Sequence, residues 1–189
     1  MTTSLRPLTL TAFLEQSEIE ASPAWEYMDG AAHQKPMPQI HHSRLQLKLS
    51  AAIELAAGQN AAVFPELRCT VGNRSVVPDI FVLTAPNIPL TASGELENGA
   101  IAFAPDWVIE IISPAQTSTR VIDNILHCLA HGSVLGWLLD PEERAVVIFQ
   151  PKQEPKIFRA DQPLIVLPNI ELPLTANQIF GWLTLQGYS

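Results

Sequence analysis

The sequence predicts an α/β domain organised around a mixed β-sheet, and three observations carry that expectation. Residues 107–114 read WVIEIISP, a run of β-branched and aromatic residues closed by Ser-Pro, where a central strand cannot continue. Residues 118–131 follow with Val121, Ile125, Cys128 and Leu129 at helical spacing, then Gly132 and a second apolar run from Val134. Upstream, residues 39–57 carry a helical stripe of Leu45, Leu49, Ile53 and Ala56 ahead of two strand-like runs. Helix, strand hairpin, strand, helix and strand in that order make an α/β core whose sheet is mixed.

Each remaining element has its own local reason. In residues 8–16, Leu10, Phe13 and Leu14 sit at helical spacing behind the cap candidates Thr9 and Thr11, which predicts a short amphipathic helix acting as a clasp. Asp29-Gly30 between two short runs at 25–33 predicts a hairpin forming a two-stranded edge. In 39–57, Leu45, Leu47 and Leu49 alternate as a strand would, but the helical stripe fits the whole window and Gly58 supplies a stop. His41 and His42 fall in the first turn and read as surface or capping residues. Residues 62–71 and 76–84 pair as a hairpin through Gly72-Asn73-Arg74-Ser75, and 87–104 form a long surface loop. Residues 134–140 and 144–149 flank the acidic turn Asp140-Pro141-Glu142-Glu143, with a short third strand at 156–158. A short helix at 175–183 follows the proline-punctuated segment 164–174.

Composition narrows the class. At 189 residues the chain suits one domain, with a core at about 25–150 and an extension at 151–189. Hydrophobic residues are 47% and charged ones 16%, as in a globular rather than a disordered chain. The net charge of -8 excludes a broadly basic surface, so a nucleic-acid partner needs a local patch. Cys69 and Cys128 lack CxxC spacing, which argues against zinc and against a disulfide framework. No apolar run approaches the roughly 20 residues that span a bilayer, and no basic segment opens the chain, so a cytoplasmic protein without a membrane partner is expected.

Chemistry is expected where the core contradicts itself. Glu110 lies inside the apolar strand, on the face of Val108 and Ile112 and opposite Trp107, Ile109 and Ile111. A carboxylate there needs a cation, a hydrogen-bond network or a metal. Asp79 follows Pro78 at the start of another strand, where the proline opens the ladder. If the two strands are neighbours, both carboxylates converge on one hard cation such as Mg²⁺ or Mn²⁺, completed by the Ile111 carbonyl and water. That is the chemistry of phosphodiester hydrolysis. Glu66, on the preceding strand, is either a third ligand or the ion-pair partner of Arg68 or Arg74. Arg120, Asn124, His127 and His131 share one helix face that reads as polar surface. Ser113 and Gln116 can hydrogen-bond near the site, and Glu26 and Asp29 read as hairpin residues.

Taken in order, Glu26-Tyr27-Met28-Asp29-Gly30, Val77-Pro78-Asp79, WVIEIISP and Gly136-Trp137-Leu138-Leu139-Asp140-Pro141 resemble the Uma-type family of supposed endonucleases, over residues 25–149. That family is a branch of the PD-(D/E)XK, restriction-endonuclease-like superfamily. The resemblance implies a restriction-endonuclease-like core, metal binding by Asp79 and Glu110, cleavage of DNA, and a homodimer or higher homo-oligomer. The superfamily pattern carries a lysine two residues beyond the glutamate, and here that position is Ile112. Many Uma-type members instead carry the cation on the following helix, at positions matching Arg120 and Asn124. Arg120 can stabilise the phosphate, but a guanidinium stays protonated and cannot act as a base. Two rivals stand beside a metal-dependent, lysine-impaired endonuclease. One is a catalytically inactive fold serving as a nucleic-acid or protein interaction module. The other is a self-associating structural domain, suggested by the proline-edged C-terminal third with Trp182 and Tyr188.

Overall fold

A computed structural model describes residues 8–114 and 117–185. The predicted mixed sheet has six strands: β3 (Ala61–Pro65), β6 (Ile80–Thr84), β7 (Trp107–Ile111), β8 (Leu135–Asp140), β9 (Ala145–Phe149) and β10 (Lys156–Arg159). Their spatial order is β10-β9-β8-β7-β6-β3. Only β7 and β8 are parallel, joined by helix α3 (Ser118–Ala130); every other pair is antiparallel. Helix α2 (Ile40–Ala57) runs the full predicted window and α4 (Ala176–Gly181) closes the described chain behind a Thr175 capping box. The N-terminal helix α1 (Leu10–Leu14) starts at Thr9, whose hydroxyl accepts the Ala12 N–H.

Strand period 2 sorts the core onto two faces. Trp107, Ile109 and Ile111 join the α2 side with Leu45, Leu49, Ile53, Trp137 and Phe180. Val108 joins the α3 side with Phe81, Leu138, Val121 and Ile125. Glu110 therefore points to the α3 side, as its alternation predicts. Close approach of α3 depends on Gly136 in β8, where a Cβ would clash with Ile125 Cγ2. Cys69 and Cys128 are free thiols buried in this cluster, and their mutual hydrogen bond and burial push the Cys128 thiol up.

The predicted hairpins carry an unanticipated second sheet. β1 (Trp25–Met28) and β2 (Ala31–Gln34) pair through a turn with Asp29 at φ 52° and Gly30 at φ 81°. They are not an isolated edge, since Tyr27 pairs with Ser75 in a four-stranded sheet ordered β2-β1-β5-β4. Its other strands, β4 (Cys69–Val71) and β5 (Arg74–Val76), come from the tip of the predicted 62–84 hairpin. That hairpin pairs as expected, but its base belongs to the large sheet and its tip to the small one. The crossing points are Glu66, at φ 51° beside Pro65, and Val77-Pro78. Proline has no N–H to give the ladder, so both breaks fall where pairing must stop.

Arg68 locks the small sheet to the N-terminal segment. Its guanidinium donates to Trp25 O at 2.9 Å, Ile19 O at 2.7 Å and Ser75 Oγ at 3.1 Å, pairs with Glu20, and lies over the Phe13 ring. Arg68→Ala leaves two carbonyls unpaired and is expected to cost about 3 kcal/mol in urea denaturation. A loss below about 1 kcal/mol would show that this lock is dispensable.

The predicted loop holds mainly isolated bridges, and Ile101 is its buried anchor against Cys69. Among the described residues no helix is long and apolar enough to cross a membrane.

Candidate active site

The antiparallel register of β6 and β7 brings the two predicted carboxylates together. Ile80 pairs with Ile109 and Phe81 with Val108, so one step outward Asp79 stands opposite Glu110. Both are buried, at 2% and 1% exposure. The Ile111 N–H donates to Asp79 Oδ2 at 2.7 Å, a backbone bond available because Pro78 has interrupted the ladder. Ile111 thus contributes its N–H to the cluster.

Three further elements supply groups that local pattern did not mark. The segment leaving β2 brings Lys35, whose ammonium donates to Asp79 Oδ1 at 2.7 Å and Val77 O at 2.6 Å and lies 3.6 Å from Glu110 Oε2. From the first turn of α2, His42 Nε2 lies 3.0 Å from Asp79 Oδ2, and Gln46 donates to the Asp79 carbonyl. His42 is therefore a buried site residue, not the surface or capping residue expected, while His41 is exposed. From β1, Glu26 is 3% exposed; its oxygens accept from Val77 N at 2.9 Å and Asn124 Nδ2 at 3.2 Å. Glu26 is thus more than a hairpin residue.

Other expectations need correction. Asn124 is buried against Glu26 and His127 bonds the Val71 carbonyl, so the 120–131 face is largely an interface with the small sheet. Burial holds the His127 imidazole below its ordinary value. Arg120 stays exposed and, among the described residues, pairs with neither carboxylate; it shares a cleft of roughly 140 Å³ with Lys35, Glu26 and Thr117. Glu66 is exposed at the rim of a smaller cleft lined by Lys35, His42, Asp79 and Ser113. Its expected ion-pair partners are engaged elsewhere, Arg68 with Glu20 and Arg74 with Asp29 and Asp123. Ser113 is buried beside the site, and Gln116 and Tyr188 lie outside the described residues.

Three acids share one cation here, and the protonation states follow. Burial alone would raise Asp79, but the Lys35 charge and the His42 hydrogen bond overcome it and hold the carboxyl well below its usual range. Burial pushes Glu110 far up, and the charges of Asp79 and Glu26 add to it against the pull of Lys35. Burial would lower Lys35, but the surrounding carboxylates hold it above its ordinary value, so it stays an ammonium. Glu110 Oε1 is buried and, among the described residues, has no hydrogen-bond partner.

A folded-state value above the unfolded one means that the fold retains a proton on Glu110 that the unfolded chain releases. Stability from this group is complete below about pH 4.5 and is lost as pH rises through the raised folded value. Asp79 acts oppositely, its contribution present above about pH 3.8 and lost as pH falls. Above pH 5 the metal-free protein should therefore lose up to roughly 1 kcal/mol per pH unit over the Glu110 transition. Glu110→Gln should flatten that slope in urea denaturation, and an unchanged profile would remove Glu110 as its source.

The donor set suits a hard divalent ion. Among the described residues no three His, Cys, Asp or Glu side chains form a ready-made ligand group. Mg²⁺, however, is commonly held by one or two carboxylates while keeping several waters. The unpartnered Glu110 oxygen, in a cluster short of positive charge, fits that requirement.

Residues 10–176 match the Uma2 family, described as "Putative restriction endonuclease". The chain is also similar to a solved structure described as a putative nuclease belonging to DUF820 from Anabaena variabilis ATCC 29413. The two share 43% identity with a TM-score of 0.90, over 94% of this chain and 100% of that one. No curated protein matches.

Proposed function

We propose a function from one premise: this chain belongs to the Uma2 family, described as "Putative restriction endonuclease", and shares its fold with a solved structure described as a putative nuclease. The reading is a metal-dependent endonuclease that hydrolyses phosphodiester bonds in DNA. The observation that carries it is Asp79 standing opposite Glu110 on adjacent strands, both buried, with one glutamate oxygen unpartnered among the described residues.

Asp79 and Glu110 would hold the ion, with the Ile111 carbonyl beside them. When bound, Mg²⁺ or Mn²⁺ would lower the pKa of a water and neutralise charge growing on the phosphate. The protein's own residues do the rest. Lys35, His42 and the Ile111 N–H fix the Asp79 carboxylate in one orientation and keep it ionised. Glu110, whose carboxyl burial pushes up, would have to give up any proton it carries to hold the ion. Arg120, in the cleft beside Lys35, is suited to a phosphate oxygen.

The test is cleavage of plasmid and oligonucleotide DNA with Mg²⁺ or Mn²⁺, together with calorimetric titration of Mn²⁺. Cleavage that depends on both carboxylates supports the reading. Absence of both cleavage and metal binding at millimolar ion would leave the non-catalytic interaction module.

A further inference from the structure

We propose that Lys35 supplies, from the segment leaving the β1–β2 hairpin, the cation that strand β7 lacks, and that its ammonium contacts the phosphate undergoing hydrolysis. This rests on the phosphodiesterase reading above and adds to it the group that meets the substrate's charge.

Two of the usual sources are closed in this chain, and the third, Arg120, is exposed at the cleft and pairs with neither carboxylate among the described residues. Ile112, two residues beyond Glu110, is apolar and packs against the α3-side cluster. Asn124 on α3 is uncharged and its amide is spent on Glu26. Among the described residues, no lysine or arginine other than Lys35 pairs with Asp79 or Glu110. The position of Lys35 is built, since its backbone N–H donates to Ala24 O and its ammonium is anchored on the Val77 carbonyl beside the Pro78 break.

Lys35 keeps one donor in reserve. An ammonium has three N–H donors. Two are used, on Val77 O and Asp79 Oδ1, and the Glu110 oxygen at 3.6 Å lies beyond hydrogen-bond reach. The side chain is 11% exposed and lines both clefts, the one holding Asp79, His42 and Ser113 and the one holding Glu26, Thr117 and Arg120. The cleft of roughly 140 Å³ that holds Glu26, Thr117 and Arg120 has the room for a phosphate beside that third donor.

In the hydrolysis, water oxygen bonds to phosphorus and the P–O bond to the leaving nucleotide breaks. One water proton ends on the leaving oxygen, and the other is released from the new phosphomonoester. Lys35 neither gives nor takes a proton; it donates a hydrogen bond to a non-bridging oxygen whose charge grows in the transition state.

The experiment compares wild type, Lys35→Met, Lys35→Arg and Lys35→Ala on a labelled duplex with Mn²⁺, with circular dichroism and Mn²⁺ calorimetry on each. Lys35→Met should lower kcat by about 10²-fold or more, while Mn²⁺ binds at least as tightly as to wild type because a competing positive charge is gone. Ethylamine should restore both cleavage and duplex binding in Ca²⁺ by Lys35→Ala at least about tenfold and leave wild type unaffected. Binding of the duplex in Ca²⁺ should weaken at least about tenfold in Lys35→Met. Wild-type kinetics in Lys35→Met, weakened Mn²⁺ binding, or no amine rescue would overturn the assignment. A wild type that neither cleaves nor binds the duplex would sink the nuclease reading itself, and the Lys35 role with it.

Discussion

Asp79→Asn and Glu110→Gln are each expected to lower DNA cleavage in Mg²⁺ by about 10³-fold while separating sharply in metal-free stability. Asp79 is the acceptor for Lys35, His42 and the Ile111 N–H. Removing it outright, as in Asp79→Ala, strands a buried ammonium and should cost about 3–5 kcal/mol. The amide of Asp79→Asn keeps one acceptor and should cost less. Glu110 is the reverse case, a buried acid with an oxygen that finds no donor among the described residues. Glu110→Gln removes the ionisation that the apolar strand opposes, so the metal-free variant should be as stable as wild type or more so at pH 8. Cleavage assays and thermal denaturation on the same preparations check both halves. Full cleavage by either variant would end the two-carboxylate mechanism. A strongly destabilised Glu110→Gln would contradict the charge balance of the cluster.

An equally large effect on stability is expected at Trp137. It has no exposed surface, its ring meets Trp107 edge-on with centroids 4.7 Å apart, and its indole N–H donates to Ile165 O at 2.9 Å. Trp137→Ala opens a cavity between β7 and β8 and strips the C-terminal segment of an anchor, which should cost about 3–5 kcal/mol in urea denaturation. Trp137→Phe keeps most of the volume and loses the hydrogen bond, so a cost of about 1–2 kcal/mol is expected. Equal losses in the two variants would mean that the hydrogen bond, not the packing, carries the residue.

The carboxylates were legible because both break a local rule. Glu110 interrupts a β-branched run, and Asp79 follows a proline at a strand start. Their meeting needed only that adjacent runs pair, and the antiparallel register did the rest. The cation was not legible. Lys35 sits between Gln34 and Pro36 in a connecting segment, with no periodicity to mark a face, and its partner Asp79 is 44 residues away. His42 and Glu26 are equally unmarked in the sequence. A histidine in a helix's first turn and a glutamate in a hairpin have ordinary local explanations.

Strand alternation and helical spacing act over a few residues, so the chain alone determined the elements, the face each side chain takes and the two acids at the centre. Which element covers the α3 side of β7 was decided only by the tertiary structure, where the small sheet, built from the tip of one hairpin and the whole of another, docks there and delivers Glu26 and Lys35. The physical reason is that a buried charge is neutralised by whatever the packing brings within about 4 Å, and packing partners distant in sequence leave no mark on local pattern.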